Sequence, residues 1–401
     1  MIDRVTIKQS LAATKIAIAS LKQRWLRTLT TITGIVGVVV VFVSLLSIAQ
    51  GYKKVMDVTR TSDNVIIFMK GADSELMSSL SRDQVAILRL LPEILRDENQ
   101  QPLASAEVLT VASVGRKGSD GTMNVSLRGV EPAAFKLRRD IEVVTGRSFK
   151  PGSREIIVGE KAMAQFDGLE LGEQFRAGDT VWTVVGVFAS GGSVLESEIW
   201  TSSEDLQSAQ QRAGQFQTLY TKLTDGFEAD AVAKIANEDP RINIKIVRED
   251  DYYGEQAEDL NSFVSVIGYT ISLLMGFGAT FAALNANYSS VITRVRELAT
   301  IKALGFRNSA IVTSIILESL VLALIGGFVG ALITYWFLHG YSASTLFMSR
   351  NHSQVVFSFD VSAGILLQAG LLAAVIGILG GLIPAIQTIK LPMAKVLASR
   401  K

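Results

Sequence analysis

The sequence predicts a membrane α-helical protein: four transmembrane helices with one α/β domain inserted between the first and the second. Three observations predict it. Four long stretches are apolar and almost uncharged, charge is sorted between the segments that join them, and the longest joining segment alternates strand and helix patterns. Hydrophobic residues are 48% of the 401 and mean hydropathy is +0.33. Charged residues are 19%, below the ~25% usual for soluble chains. A net charge of +1 gives no global attraction to nucleic acid.

A hydrocarbon core of about 30 Å needs about 20 apolar helical residues. The spans read as 28–50, 262–290, 310–338 and 361–389, and Glu318 is the single charge within them. The ends 1–27 and 390–401, together with the 291–309 loop, hold fourteen basic residues and two acidic ones. Segment 51–261 holds 24 basic and 34 acidic residues. The positive-inside rule therefore puts both termini and 291–309 in the cytoplasm, and 51–261 and the short loop 339–360 outside. Ser47 and Ala49 would suit a leader cleavage site. However, the apolar run exceeds the roughly 7–15 residues of a leader, so the first stretch reads as a retained span.

Along the chain, Ile7, Leu11, Thr14, Ile18, Leu21 and Trp25 recur at helical steps, with Lys8, Lys15 and Lys22 beside them. Segment 1–27 thus reads as a cytoplasmic amphipathic helix with its apolar face in the inner leaflet and its lysines at anionic headgroups. In the outside segment, Asn64–Phe68, Glu107–Val114 and Met123–Val130 read as β-branched strands. Ser81–Leu91 reads as a helix with a Ser cap, stopping before Pro92. Arg154–Phe166 reads as strand then helix, Leu171–Phe175 as a short strand and Thr180–Phe188 as a long one. Leu206–Ala213 and Ala229–Asn237 read as helices, and Ile242–Val247 as a strand.

Much chemistry is excluded. There is no cysteine, so thiol catalysis, disulfides and thiolate metal sites are absent. His339 and His352 are the whole histidine complement, too few for a multi-histidine metal site. No P-loop, H-E-x-x-H or G-x-S-x-G motif occurs, and Gly276-Phe277-Gly278 lacks the third glycine of a dinucleotide fingerprint. Asp250-Asp251 reads as a solvated face. Arg116-Lys117 and Arg138-Arg139 lack interleaved aromatics, so no nucleic-acid surface is expected. No cationic pocket or aromatic cage is legible. These residues are not expected to form an enzyme or to hold a cofactor. Transport, force transmission or scaffolding remains.

Glu318 is a functional candidate by its position, since a charge in lipid costs several kcal/mol. A contact with a basic residue on the cytoplasmic side is the favoured reading, with a proton or substrate site the alternative. Gly326, Gly327 and Gly330 allow close helix approach. They could serve packing within one chain or a homodimer face.

The stretch Arg296 to Trp336, RELATIKALGFRNSAIVTSIILESLVLALIGGFVGALITYW, resembles the permease module of the MacB and FtsX group of ABC transporters. The matching features are an Arg-Glu pair, Lys302-Ala303-Leu304-Gly305, a polar turn, Glu318-Ser319 and the Gly326-Gly327-x-x-Gly330 run. Gly381-Leu382-Ile383-Pro384-Ala385, then Leu391-Pro392 and Val396-Leu397, are similar to the family's ending. Val158 to Phe188 is similar to its periplasmic core domain. The resemblance covers nearly the whole chain and implies a MacB-like permease of the inner membrane with a periplasmic domain. It implies a homodimer served by two copies of a separate ABC ATP-binding subunit, which would bind ATP and Mg. A periplasmic membrane-fusion adaptor is a further implied partner. The helix within 291–309 would seat on the ATPase, with Arg294, Arg296, Glu297 and Lys302 as surface contacts beside Ala303, Leu304 and Gly305. Hydrolysis inside would then move the outer domain, driving export or extraction of a substrate at the outer face. An FtsX-like regulator of a cell-wall hydrolase and a lipoprotein-releasing permease are the alternatives.

Overall fold

Residues 25–59, 63–118, 121–344 and 355–389 are described by a computed structural model. The amphipathic pattern before Trp25, His352 and the 390–401 tail lie outside these residues. Contacts divide the chain into a helical unit (up to Gln50, Ser262–Tyr341 and from Phe359) and an inserted unit (Gly51–Asn261 with Ser342–Ser358).

The described residues open with α1 (Trp25–Thr59), an uninterrupted helix that runs past the end of the expected span. The inserted unit follows with β1 (Asn64–Met69), β2 (Leu80–Ser81), α2 (Arg82–Arg89), β3 (Ala104–Gly115), β4 (Thr122–Val130), α3 (Ala134–Leu137) and β5 (Glu142–Gly146). Next come β6 (Glu155–Gly159), α4 (Glu160–Gln165), β7 (Gln174–Ala177), β8 (Thr180–Ala189), β9 (Ile199–Ser202) and α5 (Ser203–Ala209). β10 (Gln215–Phe216), β11 (Thr218–Lys222), α6 (Ala229–Ala236) and β12 (Ile244–Arg248) complete it. The helical unit resumes with α7 (Glu249–Thr293), α8 (Val295–Ala303), α9 (Asn308–Leu338) and, beyond a small pair β13 (Ser342–Ser344) and β14 (Val356–Ser358), α10 (Ala363–Ile389). The four long helices are each apolar and long enough to cross a membrane.

Ten strands form one sheet in the order β12-β1-β11-β3-β4-β9-β6-β8-β5, with β7 on β8. One apolar core is built from Val108, Leu127, Ile156, Trp182, Ile199 and Leu206, and a second from Val65, Leu88, Ala106, Leu219 and Val232. Ser81 caps α2, as the sequence predicts: its hydroxyl accepts from Gln84 N, and the Gln84 side chain accepts from Ser81 N. Two expectations are corrected. Leu171–Phe175 is not a strand from its start, because Gly172 turns the chain at φ +86° and pairing begins at Gln174. The 339–360 loop is not a plain connection: it carries β13 and β14, and Val356 N donates to Ser197 Oγ at 3.0 Å within the inserted unit.

Glycines set the approach of the membrane helices. A Cβ at Gly326 would lie 3.1 Å from Ile35 Cβ, and one at Gly330 3.0 Å from Val36 O, both on α1. A Cβ at Gly327 would meet Ala373 of α10 at 2.8 Å, and one at Gly377 would meet Ala323 of α9 at 2.6 Å. Gly326, Gly327 and Gly330 therefore serve packing inside one chain. At the far end of α9, Tyr335, Trp336 and Phe337 are exposed, the aromatic composition of a membrane–water boundary.

Candidate functional site

The junction of α7, α8 and α9 concentrates the polar groups of the helical unit. α7 stops at Thr293 because Arg294 leaves helical geometry (φ −105°, ψ 7°), and the chain restarts as α8. α8 ends in a Schellman motif: Gly305 N donates to Lys302 O at 3.1 Å, and Phe306 N donates to Ile301 O at 3.3 Å. Gly305 sits at φ +92°, a conformation that only glycine takes without strain. Leu304-Gly305 is thus a helix stop written in the sequence. Arg307 then precedes α9 in extended backbone and accepts at its carbonyl from Ala310 N.

α8 has two faces. Leu298 and Ile301 pack on a cluster of Val291, Ile311, Ile315 and Ala385, and Ala299 is buried. Arg296, Glu297, Thr300, Ala303, Leu304 and Gly305 are exposed, Leu304 by 74% of its surface. Lys302 is half-buried. Arg294 does not join the exposed face, contrary to expectation. Its residue is only 6% exposed, because the break in the helix turns its side chain inward.

Inside, Arg294 Nη1 donates to Glu318 Oε2 at 3.0 Å and its Nε to Glu297 Oε2 at 3.2 Å. Glu318 is the eleventh residue of α9, ~15 Å from its start at 1.5 Å per residue. Its partner is thus a basic residue at the head of α8. A buried carboxylate is tolerable here because a guanidinium faces it, and removing that guanidinium would leave the Glu318 carboxylate without its cation. At the next residue of α9, Asn287 Nδ2 donates to Ser319 Oγ at 2.9 Å, and also to Gly380 O at 3.0 Å. Nothing in the sequence reading singles out Asn287, although a carboxamide in an apolar span is itself a signal.

A second polar assembly lies within the inserted unit. Register sets Leu109 opposite Arg128, Arg128 beside Trp200, and Ser105 opposite Tyr220, so that Glu107, Arg128, Trp200 and Tyr220 share one sheet face. Arg128 donates to Glu75, Glu107 and Glu198 at 2.8–2.9 Å, and Arg138 grips Glu107 with two bonds of 2.6 and 2.9 Å. Tyr220 Oη donates to Glu75 at 3.0 Å and Trp200 Nε1 to Glu198 at 2.7 Å. Burial works to raise the Glu107 carboxyl, yet Arg138 and then Arg128 outweigh it and hold it below the usual carboxylate range. Burial raises the Tyr220 phenol, and Glu75 adds to this, keeping it a neutral donor. Arg138 also lies 3.8 Å over the Tyr220 ring and 5.2 Å from that of Trp200. The aromatics missing around Arg138-Arg139 in the sequence are therefore supplied by distant strands.

Comparison with known proteins places these features in a family. Residues 28–238 match the family model of the MacB-like periplasmic core domain, and residues 264–393 that of the FtsX-like permease C-terminal. The macrolide export ATP-binding/permease protein MacB of Hahella chejuensis is 24% identical over 420 residues, covering 96% of this chain and 60% of that protein. The uncharacterized ABC transporter permease YknZ of Bacillus subtilis is 24% identical over 290 residues, covering 68% of this chain and 66% of its own. This chain thus spans about 60% of the length of the first of these relatives. The periplasmic region of MacB from Actinobacillus actinomycetemcomitans aligns at 13% identity with a TM-score of 0.36, over 47% of this chain and 90% of that structure.

Proposed function

This chain belongs to the MacB/FtsX family of ABC transporter permeases, and from that premise we propose that it couples ATP hydrolysis on a separate subunit to motion of its inserted domain. The 401 residues carry no P-loop, which accords with ATP and Mg being bound on that other subunit. In this reading two ATP-binding subunits serve a homodimer in the inner membrane, with both termini cytoplasmic and the inserted domain periplasmic. A periplasmic adaptor receives what the complex moves, and export or extraction of a substrate at the outer face is the result. Macrolides, for whose export the Hahella relative is named, are the first substrates to try.

The carrying observation is the two-faced α8. Its outer face presents Arg296, Glu297 and Leu304 while its inner face is packed, and Arg294 at its head is tied to Glu318 in the next helix. A short helix held in this way passes a push on its outer face into α7 and α9 as a rigid-body displacement. The test is double charge reversal, Arg296→Glu with Glu297→Arg. Membrane insertion is expected to be unchanged and co-purification of the ATP-binding subunit to fall by at least tenfold. Complex formation at the unaltered level would defeat the proposal.

A further inference from the structure

α10 contains Pro384 in its interior. Proline has no N–H, so the carbonyl four residues earlier, that of Gly380, loses its helical donor. In hydrocarbon an unsatisfied carbonyl is costly, and another group must supply the bond. The structure shows which one: Asn287 of α7 donates to Gly380 O at 3.0 Å, while the same amide nitrogen bonds Ser319 Oγ of α9 at 2.9 Å. Close approach makes the geometry possible. A Cβ at Gly380 would lie 2.7 Å from Ala283 Cβ of α7, and one at Gly381 2.9 Å from Ser319 Cβ of α9. Three helices thus converge on one carboxamide whose two hydrogens both go to other helices.

We infer that Asn287 is a positioning residue of the coupling machinery, standing in for the backbone donor that Pro384 removes and so yoking α7, α9 and α10 into one moving block. It lies eight residues before α8, ~12 Å along the helix. Ser319 directly follows Glu318, so the Arg294–Glu318 pair and the Asn287 yoke act on adjacent residues of α9. A displacement of α8 reaches α9 through the ion pair and reaches α10 through the carboxamide. Aspartate at 287 keeps the shape and loses the donors. The coupling role, as distinct from the hydrogen bond, rests on the function proposed above.

The experiment is a cycle of Asn287→Ala, Pro384→Ala and the double variant of the full chain in nanodiscs, with Asn287→Asp as the isosteric control. Melting temperature and the ATPase rate of the complex with its ATP-binding subunit are read in parallel. Pro384→Ala restores the N–H for Gly380. Asn287→Ala and Asn287→Asp are each expected to lower the melting temperature by several degrees in the native background. The loss should be less than half as large in the Pro384→Ala background, with ATPase rate falling at least fivefold on Asn287→Ala in the native background and staying low in the double variant, which regains the intrahelical bond but has no carboxamide to link the helices. An equal loss in both backgrounds, or no loss in either, overturns the inference. A stability cycle that behaves as expected with an ATPase rate indifferent to Asn287 rejects the coupling role. If the wild-type chain recruits no ATP-binding subunit, the function proposed above fails, and the melting cycle still decides the hydrogen bond.

Discussion

Two buried ionic assemblies, one in each unit, are built on opposite plans. In the inserted unit, Arg128 and Arg138 are enclosed by Glu75, Glu107 and Glu198, with Tyr220 and Trp200 donating to the carboxylates. In the helical unit, Arg294 meets Glu318 through one nitrogen, and its Nε turns to Glu297, whose side chain is 59% exposed. The first assembly is redundant and spread across four strands and their flanking loops, so it fixes one arrangement of the sheet. The second is one buried ion pair at a helix break, with only an exposed carboxylate beside it. The first plan has several bonds to lose before it opens, and the second has one buried bond.

The redundant plan is tested hardest at Arg128. Arg128→Met leaves Glu75 and Glu198 without a cation in the interior and is expected to cost roughly 3–5 kcal/mol. Trp182 and Trp200 are fully buried in the inserted unit and report its unfolding by fluorescence. A melting curve matching the wild type would mean that the assembly is not what locks the sheet.

The buried ion pair is probed by Arg294→Met, Glu318→Leu and both together. Arg294→Met leaves the buried Glu318 carboxylate without its cation and is expected to cost about 1–3 kcal/mol, and Glu318→Leu less, since Arg294 keeps Glu297. The double variant should recover most of that in stability while still failing to couple. Strictly additive losses in the cycle would show that the two side chains do not communicate.

Acid is the gentlest probe of the inserted unit. Glu107 is held below its ordinary value in the fold. Its stabilising contribution is therefore complete above the ordinary carboxylate range near pH 4.5 and disappears as pH falls through the lowered folded value. Acid titration followed by tryptophan fluorescence should show native signal retained through about pH 5 and lost well below that range. In Glu107→Gln the acid limb should move or flatten, and an unchanged limb would assign acid sensitivity to other groups.

Much of this architecture is legible in the order of the amino acids. Apolar length marks the four spans, and β-branched runs mark β1, β3, β4 and β8, because burial of a helix or a strand imposes its own period on the sequence. β5 and β9 escape that reading: Glu142–Gly146 is mostly exposed, and Ile199–Ser202 is buried on both faces, so neither alternates. The assembly around Arg128 is illegible because its members are scattered from Glu75 to Tyr220, and only strand register brings them to one face. Arg294 and Glu318 both stand out in the sequence, yet the resemblance counts Arg294 among the surface contacts of its segment. A resemblance conveys that a segment is exposed and not the local break that buries one of its residues. For Asn287 the clue is arithmetic, since Pro384 lies four positions after Gly380 and a polar amide elsewhere in the bundle has to answer it.

α7 runs for 45 residues without a break. At 1.5 Å per residue such a rod is ~68 Å long, more than twice the hydrocarbon thickness it must cross. If it pivots as a rod about Thr293, a tilt of only about 10° sweeps its Glu249 end through about 12 Å. On the proposed coupling, an ångström-scale nudge at the base would be amplified into an excursion the size of a small molecule.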